Sequence, residues 1–326
     1  MNLIENSQMD SQRFHFQNTS YISRTTKSIT LSTYTENIFQ TAKTEEPLFY
    51  ADHSLETKSS GTCDLLIIVE KKVVQLALKE RRSGRLLAVE IMPGNKQKDG
   101  WKQELENITA HSRLLRNYEF SKVTAGISSN EYTLVPDALF RKGDENIYFR
   151  KNFPSGTDNN IHAEFIPSFH LYTVFSIDRE LESELNHLFQ DPKLWHFSQA
   201  ILTGLSLQMK TDIGHQMLLN IHDNSIDIVV TENKKLILMN TFSWQTNEDI
   251  LYYTLFICEQ LELNPEKIPL TVTGEIDADS ALYTFLYKYI RTIVFPEKPS
   301  SLLNIFNDSG LPFHKYSTLY SFSLCE

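Results

Sequence analysis

Glycine is scarce in this chain, 11 residues in 326, and none of it stands in a phosphate-cradling order. No G-x-x-x-x-G-K-[ST], G-x-G-x-x-G or G-x-S-x-G occurs, so the commonest sequence devices for gripping phosphates or raising a serine nucleophile are missing. Cysteine is rarer still. Cys63, Cys258 and Cys325 are far apart and odd in number, which leaves no disulfide framework and no metal-ligand spacing. That usage fits a reducing compartment. The histidines form no H-x-x-x-H pair, and neither a catalytic set nor a metal set is assigned. Positive charge is in deficit, 31 basic against 41 acidic side chains for a net charge of -10. General nucleic-acid binding, which calls for one dominant basic face, is not expected. No apolar run approaches the ~18 residues needed to span a bilayer, and the N-terminus lacks a secretory order. A cytoplasmic protein without membrane insertion is the expectation.

What remains is an apolar fraction of 41%, enough for a well-buried core in one large or two ordinary domains. Residues 1–60 are rich in Ser, Thr, Asn and Gln and poor in periodicity, and read as a polar, partly ordered N-terminal arm. Within it "SITLSTYTENIF" can pair as a strand. Beyond it three β-rich runs follow, Leu65–Val69, Val73–Leu78 and Leu86–Met92, separated by turns containing "EKK" and "RRSG". A helical pattern then places Trp101, Leu105, Ile108 and Leu115 near one face. "KVTAGIS" reads as a strand and "YTLVPDALF" as a strand-to-turn segment.

About 150 residues later the order repeats. The runs are Met217–Ile221, Ile226–Val230 and Leu236–Phe242. A helix over "TNEDILYYTLFICEQLEL" is expected with Asn247 as cap, and Pro265 lies beyond it. "IPLTVTGEI" reads as a buried strand leaving its sheet at Gly274. Strand, strand, strand, helix, strand thus occurs twice. Between the copies, "IHAEFIPSFHLYTVFSI" reads as one or two strands. A helix begins at Asp178, and "FSQAILTGLSLQM" would bury Ile201, Leu205 and Met209. After Gly274 a helix capped by Asp277 or Asp279 and a short strand "TIVFP" are expected. The division expected is 61–178 for a first lobe and 179–326 for a second lobe with a C-terminal extension.

This duplicated meander resembles the actin-like ATPase superfamily. The resemblance implies an α/β fold of two ribonuclease-H-like lobes, each a mixed sheet of a three-stranded antiparallel meander and parallel strands with helices. It looks most similar to the pilus-assembly and type II secretion adaptors. "YTLVPDALF" at 132–140, "HLYTVFSID" at 170–178 and "LPFHKYSTLYSFSLCE" at 311–326 resemble an uncharacterised domain-of-unknown-function family of Bacteroidota, which implies a bacterial protein without an assigned activity.

The resemblance also supplies a test. A member that holds ATP and Mg needs small residues in both meander turns, so that backbone N–H groups reach the phosphates. Here the first turn is Val69-Glu70-Lys71-Lys72, where Glu70 would repel phosphate and the lysines are more simply solvated. The second is Asn220-Ile221-His222-Asp223-Asn224-Ser225. There the pattern would have Asp near Asn220 and Gly near His222, while Asp223-Asn224 is ordinary hairpin chemistry. His222 and Asp223 can pair as acid and base, but no third metal ligand is in view. At Val272-Thr273-Gly274-Glu275 one glycine of an adenosine-binding pair remains.

The expectation is therefore a pseudo-ATPase: a non-catalytic scaffold or adaptor acting through an unknown protein partner, without cofactor, its self-association into a homodimer left open. The alternative is a divergent ATP-binding protein or small-molecule kinase with Lys71, Lys72, His222, Asp223 and Gly274 lining the interlobe cleft. "KERRSGR" at 79–85 reads as a charged hairpin tip before an RNA contact, and His314 as a structural hydrogen bond before a partner contact. The aromatic spacing of "LYYTLFICEQ" and "LYTFLYKYI" reads as helix core faces.

Overall fold

Near-continuous apolar runs, such as "LLIIV" in "CDLLIIV", suit strands covered on both faces. In the computed structural model, which describes residues 47–52, 55, 62–70, 72–94, 96–154, 159–208, 214–299 and 312–325, they form two mixed sheets. All of these residues belong to one compact unit, Thr44–Glu326. The first meander is β2 (Cys63–Val69), β3 (Val73–Glu80) and β4 (Leu86–Pro93). Helices α1 (Lys96–His111) and α2 (Arg113–Asn117) lead to β5 (Val123–Ile127), which pairs parallel to β2.

The second meander is β10 (His215–Ile221), β11 (Ser225–Glu232) and β12 (Lys235–Ser243). Helix α6 (Asn247–Gln260) leads to β13 (Pro269–Gly274), parallel to β10. The shared segments run β4-β3-β2-β5 and β12-β11-β10-β13, so the two sheets have the same connectivity. Each is extended at its edges. Strand β1 (Leu48–Ala51) pairs antiparallel to β4, and β9 (Lys193–His196) parallel to β5. Strand β14 (Thr292–Val294) pairs parallel to β13. A third sheet of β6 (Tyr132–Pro136), β7 (Asn160–Ile166) and β8 (Leu171–Ile177), in the order β6-β8-β7, is inserted after β5 and carries helix α3 (Glu145–Asn152).

The period of two along β2 sorts its side chains between two cores. Leu65, Ile67 and Val69 pack with Trp101, Leu105 and Ile108 of α1 and with Leu181 and Leu185 of α4 (Arg179–Phe189). Leu66 and Ile68 pack with Ala200 and Ile201 of α5 (Phe197–Gln208) and with Leu319 and Phe322 of α8 (Phe313–Ser323). Helices α5 and α8 approach closely because position 204 is glycine; a Cβ there would lie 2.2 Å from Ser321 Oγ. The first sheet therefore continues past residue 178, through β9 and α5, and the C-terminal helix packs on it and not only on the second lobe. The second core gathers Met217, Leu219, Ile228, Val230 and Ile250.

Several expected boundaries move. Helix α6 is capped by Thr246 rather than Asn247, through a capping box in which Thr246 and Asp249 bond each other's backbone N–H. Helix α7 (Ala281–Tyr287) is capped by Ser280, not Asp277 or Asp279. The helix expected across 99–118 breaks at Ser112. There the buried Glu90 carboxylate accepts from the Ser112 hydroxyl at 2.7 Å and from the backbone N–H of Arg113 at 2.8 Å and Leu114 at 3.0 Å, starting α2 afresh. Asp178 caps α4 as expected, accepting from Glu180 N–H at 3.0 Å. Of the polar arm, Pro47–Asp52 and Leu55 are described, and Leu48–Ala51 is the edge strand β1. The strand expected in "SITLSTYTENIF", and Met209, lie outside the described residues.

Candidate functional site

The two meander turns meet at the cleft between the lobes. In the first, Glu70 N–H donates to Val73 O at 3.0 Å; in the second, His222 N–H donates to Ser225 O at 2.9 Å. Both amides are thus occupied by their own hairpins. Across the cleft, Lys72 Nζ bonds Asp223 Oδ1 at 2.6 Å, with the two side chains 60% and 39% exposed. Such a pair contributes little in water.

Beneath it lies a tighter contact. His222 Nε2 donates to Asp227 Oδ2 at 2.7 Å, and its Nδ1 faces Glu70 Oε2 at 3.4 Å. Glu70 is held by Gln75 Nε2 at 3.1 Å. Asp227 also accepts from the Thr241 hydroxyl at 2.5 Å and from Asn220 Nδ2 at 3.3 Å. The Thr273 hydroxyl donates to Asn220 Oδ1 at 2.8 Å. Trp244 Nε1 donates to the carbonyls of His222 at 3.1 Å and Ser225 at 3.2 Å, which fixes the turn's shape. Burial works against charge on His222, yet Asp227 and then Glu70 outweigh it and push its pKa up to about 10. Burial likewise disfavours the Asp227 carboxylate; His222, with the Thr241 and Asn220 hydrogen bonds, reverses this and holds its pKa below the usual range. The buried pair is ionised.

A second histidine continues the polar cluster into the first lobe. Tyr132 OH bonds Thr241 Oγ1 at 3.2 Å, and its ring lies 4.4 Å from that of His196. His196 Nε2 donates to Ser129 O at 2.9 Å, while its Nδ1 accepts from Ser198 N–H at 3.1 Å and faces Ser198 Oγ at 2.8 Å. One nitrogen donates and the other accepts, so the ring is neutral. Burial lowers its pKa to about 4, against the opposing pull of the Ser129 carbonyl and Asp227.

Gly274 adopts φ +81, and a Cβ there would lie 2.1 Å from Ile221 O. Glu275 N–H donates to that same carbonyl at 2.8 Å. Closure of the β10 and β13 ends accounts for this glycine without a ligand. Burial raises the Glu275 pKa; Lys315 opposes it, and Glu70, Asp277 and Asp223 add to it.

The expected residues are only partly brought together. Lys72 and Asp223 meet each other, whereas His222 turns from Asp223 to Glu70 and Asp227. Lys71 lies outside the described residues. Asp227, Thr241 and Tyr132 lie outside the residues the turns pointed to, and Asn220 and Thr273 enter there only as members of the quoted turns, although an aspartate inside the buried run "SIDIVV" is itself a signal, because a buried charge must be paired. His314 Nε2 donates to Ile276 O at 2.6 Å, the structural hydrogen bond expected of it. In "KERRSGR", Arg81 pairs with Asp64 at 3.5 Å and Arg85 with Asp52 at 3.0 Å. No group of three or more His, Cys, Asp or Glu side chains is placed to hold a metal among the described residues. For a nucleotide the fit is poor: two turn amides are already bonded, and Glu70, Asp223 and Glu275 would oppose its phosphates.

Comparison with known proteins bears on the fold. The family model described as "Protein of unknown function (DUF3822)" matches residues 52–293. A Bacteroides thetaiotaomicron protein with actin-like ATPase fold and unknown function is 19% identical, with a TM-score of 0.70 over 82% of this chain and 97% of that one. The PilM–PilN type IV pilus biogenesis complex matches at 11% identity and a TM-score of 0.50, over 80% of this chain and 97% of that one. The ethanolamine utilization protein EutJ from Carboxydothermus hydrogenoformans is 10% identical, with a TM-score of 0.46 over 82% and 91% of the two chains. Curated protein sequences give no match. The architecture is the actin-like ATPase fold.

Proposed function

The chain belongs to the family described as "Protein of unknown function (DUF3822)", and we propose that it is a scaffold or adaptor of actin-like fold that works by protein–protein contact and performs no catalysis in its cleft. The observation that carries this reading is His222, charged and held between Glu70 and Asp227 where the two turns meet. A triphosphate placed there would face the Glu70 carboxylate and would compete with Asp227 for the cationic His222. A related fold occurs in the PilM–PilN assembly, in which proteins associate with one another. The bacterial cytoplasm is the proposed setting. Cys63, Cys258 and Cys325 are buried free thiols, which suits a reducing compartment, and a structural relative comes from Bacteroides thetaiotaomicron.

Titration of the full chain with Mg-ATP, followed by thermal unfolding, tests the reading. A ligand at ~100 times its Kd adds about 2.7 kcal/mol, a shift of several degrees. The expected response is flat through millimolar ATP. A rise in Tm that is lost in Lys72→Ala and in Asp223→Ala would instead establish a divergent ATP-binding protein or small-molecule kinase. Gly274 is no probe for this, since any side chain there strikes Ile221 O.

A further inference from the structure

The tip of the small third sheet combines exposed aliphatic side chains with unpaired cations. Leu139 and Ile147 are 62% and 65% exposed, more than other aliphatic side chains among the described residues. Around them Arg141, Lys142, Arg150 and Lys151 are all exposed. Among the described residues none of these four cations is in an ion pair. Ile147, Arg150 and Lys151 stand at i, i+3 and i+4 on α3 and so share one face.

The platform beneath is rigid. Phe140 stacks on Tyr172 at 3.7 Å and on Tyr148 at 5.7 Å. The Tyr148 hydroxyl donates to Leu139 O at 2.8 Å and accepts from Arg141 N–H at 3.0 Å. One tyrosine thus pins the 139–141 turn to the helix and fixes the two aliphatic groups beside the four cations. Binding there would order little that is not already ordered. The local charge is opposed to that of the molecule: residues 137–152 carry four basic against three acidic side chains in a chain of net charge -10. Of those acids, Glu145 is already engaged, accepting from Gly143 N–H at 3.0 and 2.9 Å.

We propose that this tip, formed by the 139–142 turn and the exposed face of α3, is a docking surface for an acidic peptide segment bearing leucine or isoleucine side chains on another protein. Carboxylates of the partner answer the four unpaired cations, and its aliphatic groups cover Leu139 and Ile147. A peptide fits better than RNA, because the tip's aromatic rings stack on one another and leave no base platform. It fits better than an anionic membrane, because the rings that would anchor at a headgroup interface are stacked on Tyr172 and on one another. This inference rests on the adaptor reading and gives it a contact surface.

The test is to pan a random peptide display library against the full chain, then to measure the selected peptides by fluorescence anisotropy on wild type, Arg150→Glu/Lys151→Glu and Ile147→Ser. All three positions are exposed, and unchanged thermal melting verifies that the variants fold. Acidic, Leu- or Ile-bearing sequences are expected, binding about tenfold more weakly to either variant and more weakly at high salt. Selected peptides without negative charge, or equal binding to wild type and both variants, would overturn the proposal. So would stronger binding to single-stranded RNA or to anionic phospholipid vesicles than to any peptide. Failure here with a flat Mg-ATP response removes the tip alone, whereas an ATP-dependent rise in Tm removes the adaptor reading whatever the peptides do.

Discussion

Two histidines of one polar cluster are held in opposite charge states. His222 is cationic because Asp227 and Glu70 flank it, and His196 is neutral because it is buried with its two nitrogens serving opposite roles. Replacing His222 by alanine strands the Asp227 carboxylate, so a loss of about 3–5 kcal/mol in urea unfolding is expected. Lys72→Ala, which removes only the exposed pair above it, should change stability by less than about 1 kcal/mol. The His222 pKa is raised from 6.5 to about 10, so its stabilisation is complete below pH 6.5 and declines as pH rises toward about 10. His222→Ala should lack that decline. For His196 the sign is reversed. Its pKa falls from 6.5 to about 4, so the unfolded chain takes up a proton that the folded protein refuses, and stability drops as pH falls across that interval. The loss should reach about 3 kcal/mol. In His196→Gln the acid limb of the urea midpoint against pH should flatten; a limb of unchanged slope would refute the assignment. Little of this cluster was legible in the sequence. His222 stood out, but its partners Glu70 and Asp227 are 152 positions before it and five after it, and Asp223, the neighbour that attracted notice, faces the other turn.

At the scale of elements the sequence was more readable. Both meanders were visible because buried runs of period-two strands alternate with polar turns, and the register between neighbours then follows from turn length. Caps were misplaced by one to three residues, since Thr246 and Ser280 stand beside Asn247, Asp277 and Asp279, which are equally good cap types. The break at Ser112 was hidden because its cause is Glu90, in a strand 22 residues earlier. The packing of α5 on α8 was hidden for a similar reason: "ILTGLSL" has one glycine whose value depends on a serine far along the chain. That contact can be tested. Gly204→Ala puts a methyl 2.2 Å from Ser321 Oγ and 2.9 Å from its Cβ, and is expected to destabilise by about 1–3 kcal/mol. Ser321→Gly carries a helix penalty of about 1 kcal/mol by itself, yet added to Gly204→Ala it should recover part of the loss, and the double-mutant cycle should give a favourable coupling. Strict additivity would show that the two helices do not meet there.

For the molecule as a whole, the duplicated order made the two-lobed fold accessible from the sequence, because order survives where identity between the copies does not. The way the chain returns was not accessible. Helix α8 covers one face of the first sheet through Leu319 and Phe322, while at its start His314 and Lys315 bond Ile276 and Asp277 beside the second sheet. This has a consequence for the order in which the protein is made. A ribosome releases β2 to β5 long before residues 313–323, and domains ordinarily fold as they emerge. Here the face of the first sheet formed by Leu66, Ile68 and Ala77 is covered by α5 alone until the whole second lobe has been translated. The nascent first lobe must therefore wait, half-covered, for residues 313–323 to emerge, and through that interval it presents the kind of greasy surface that chaperones shield.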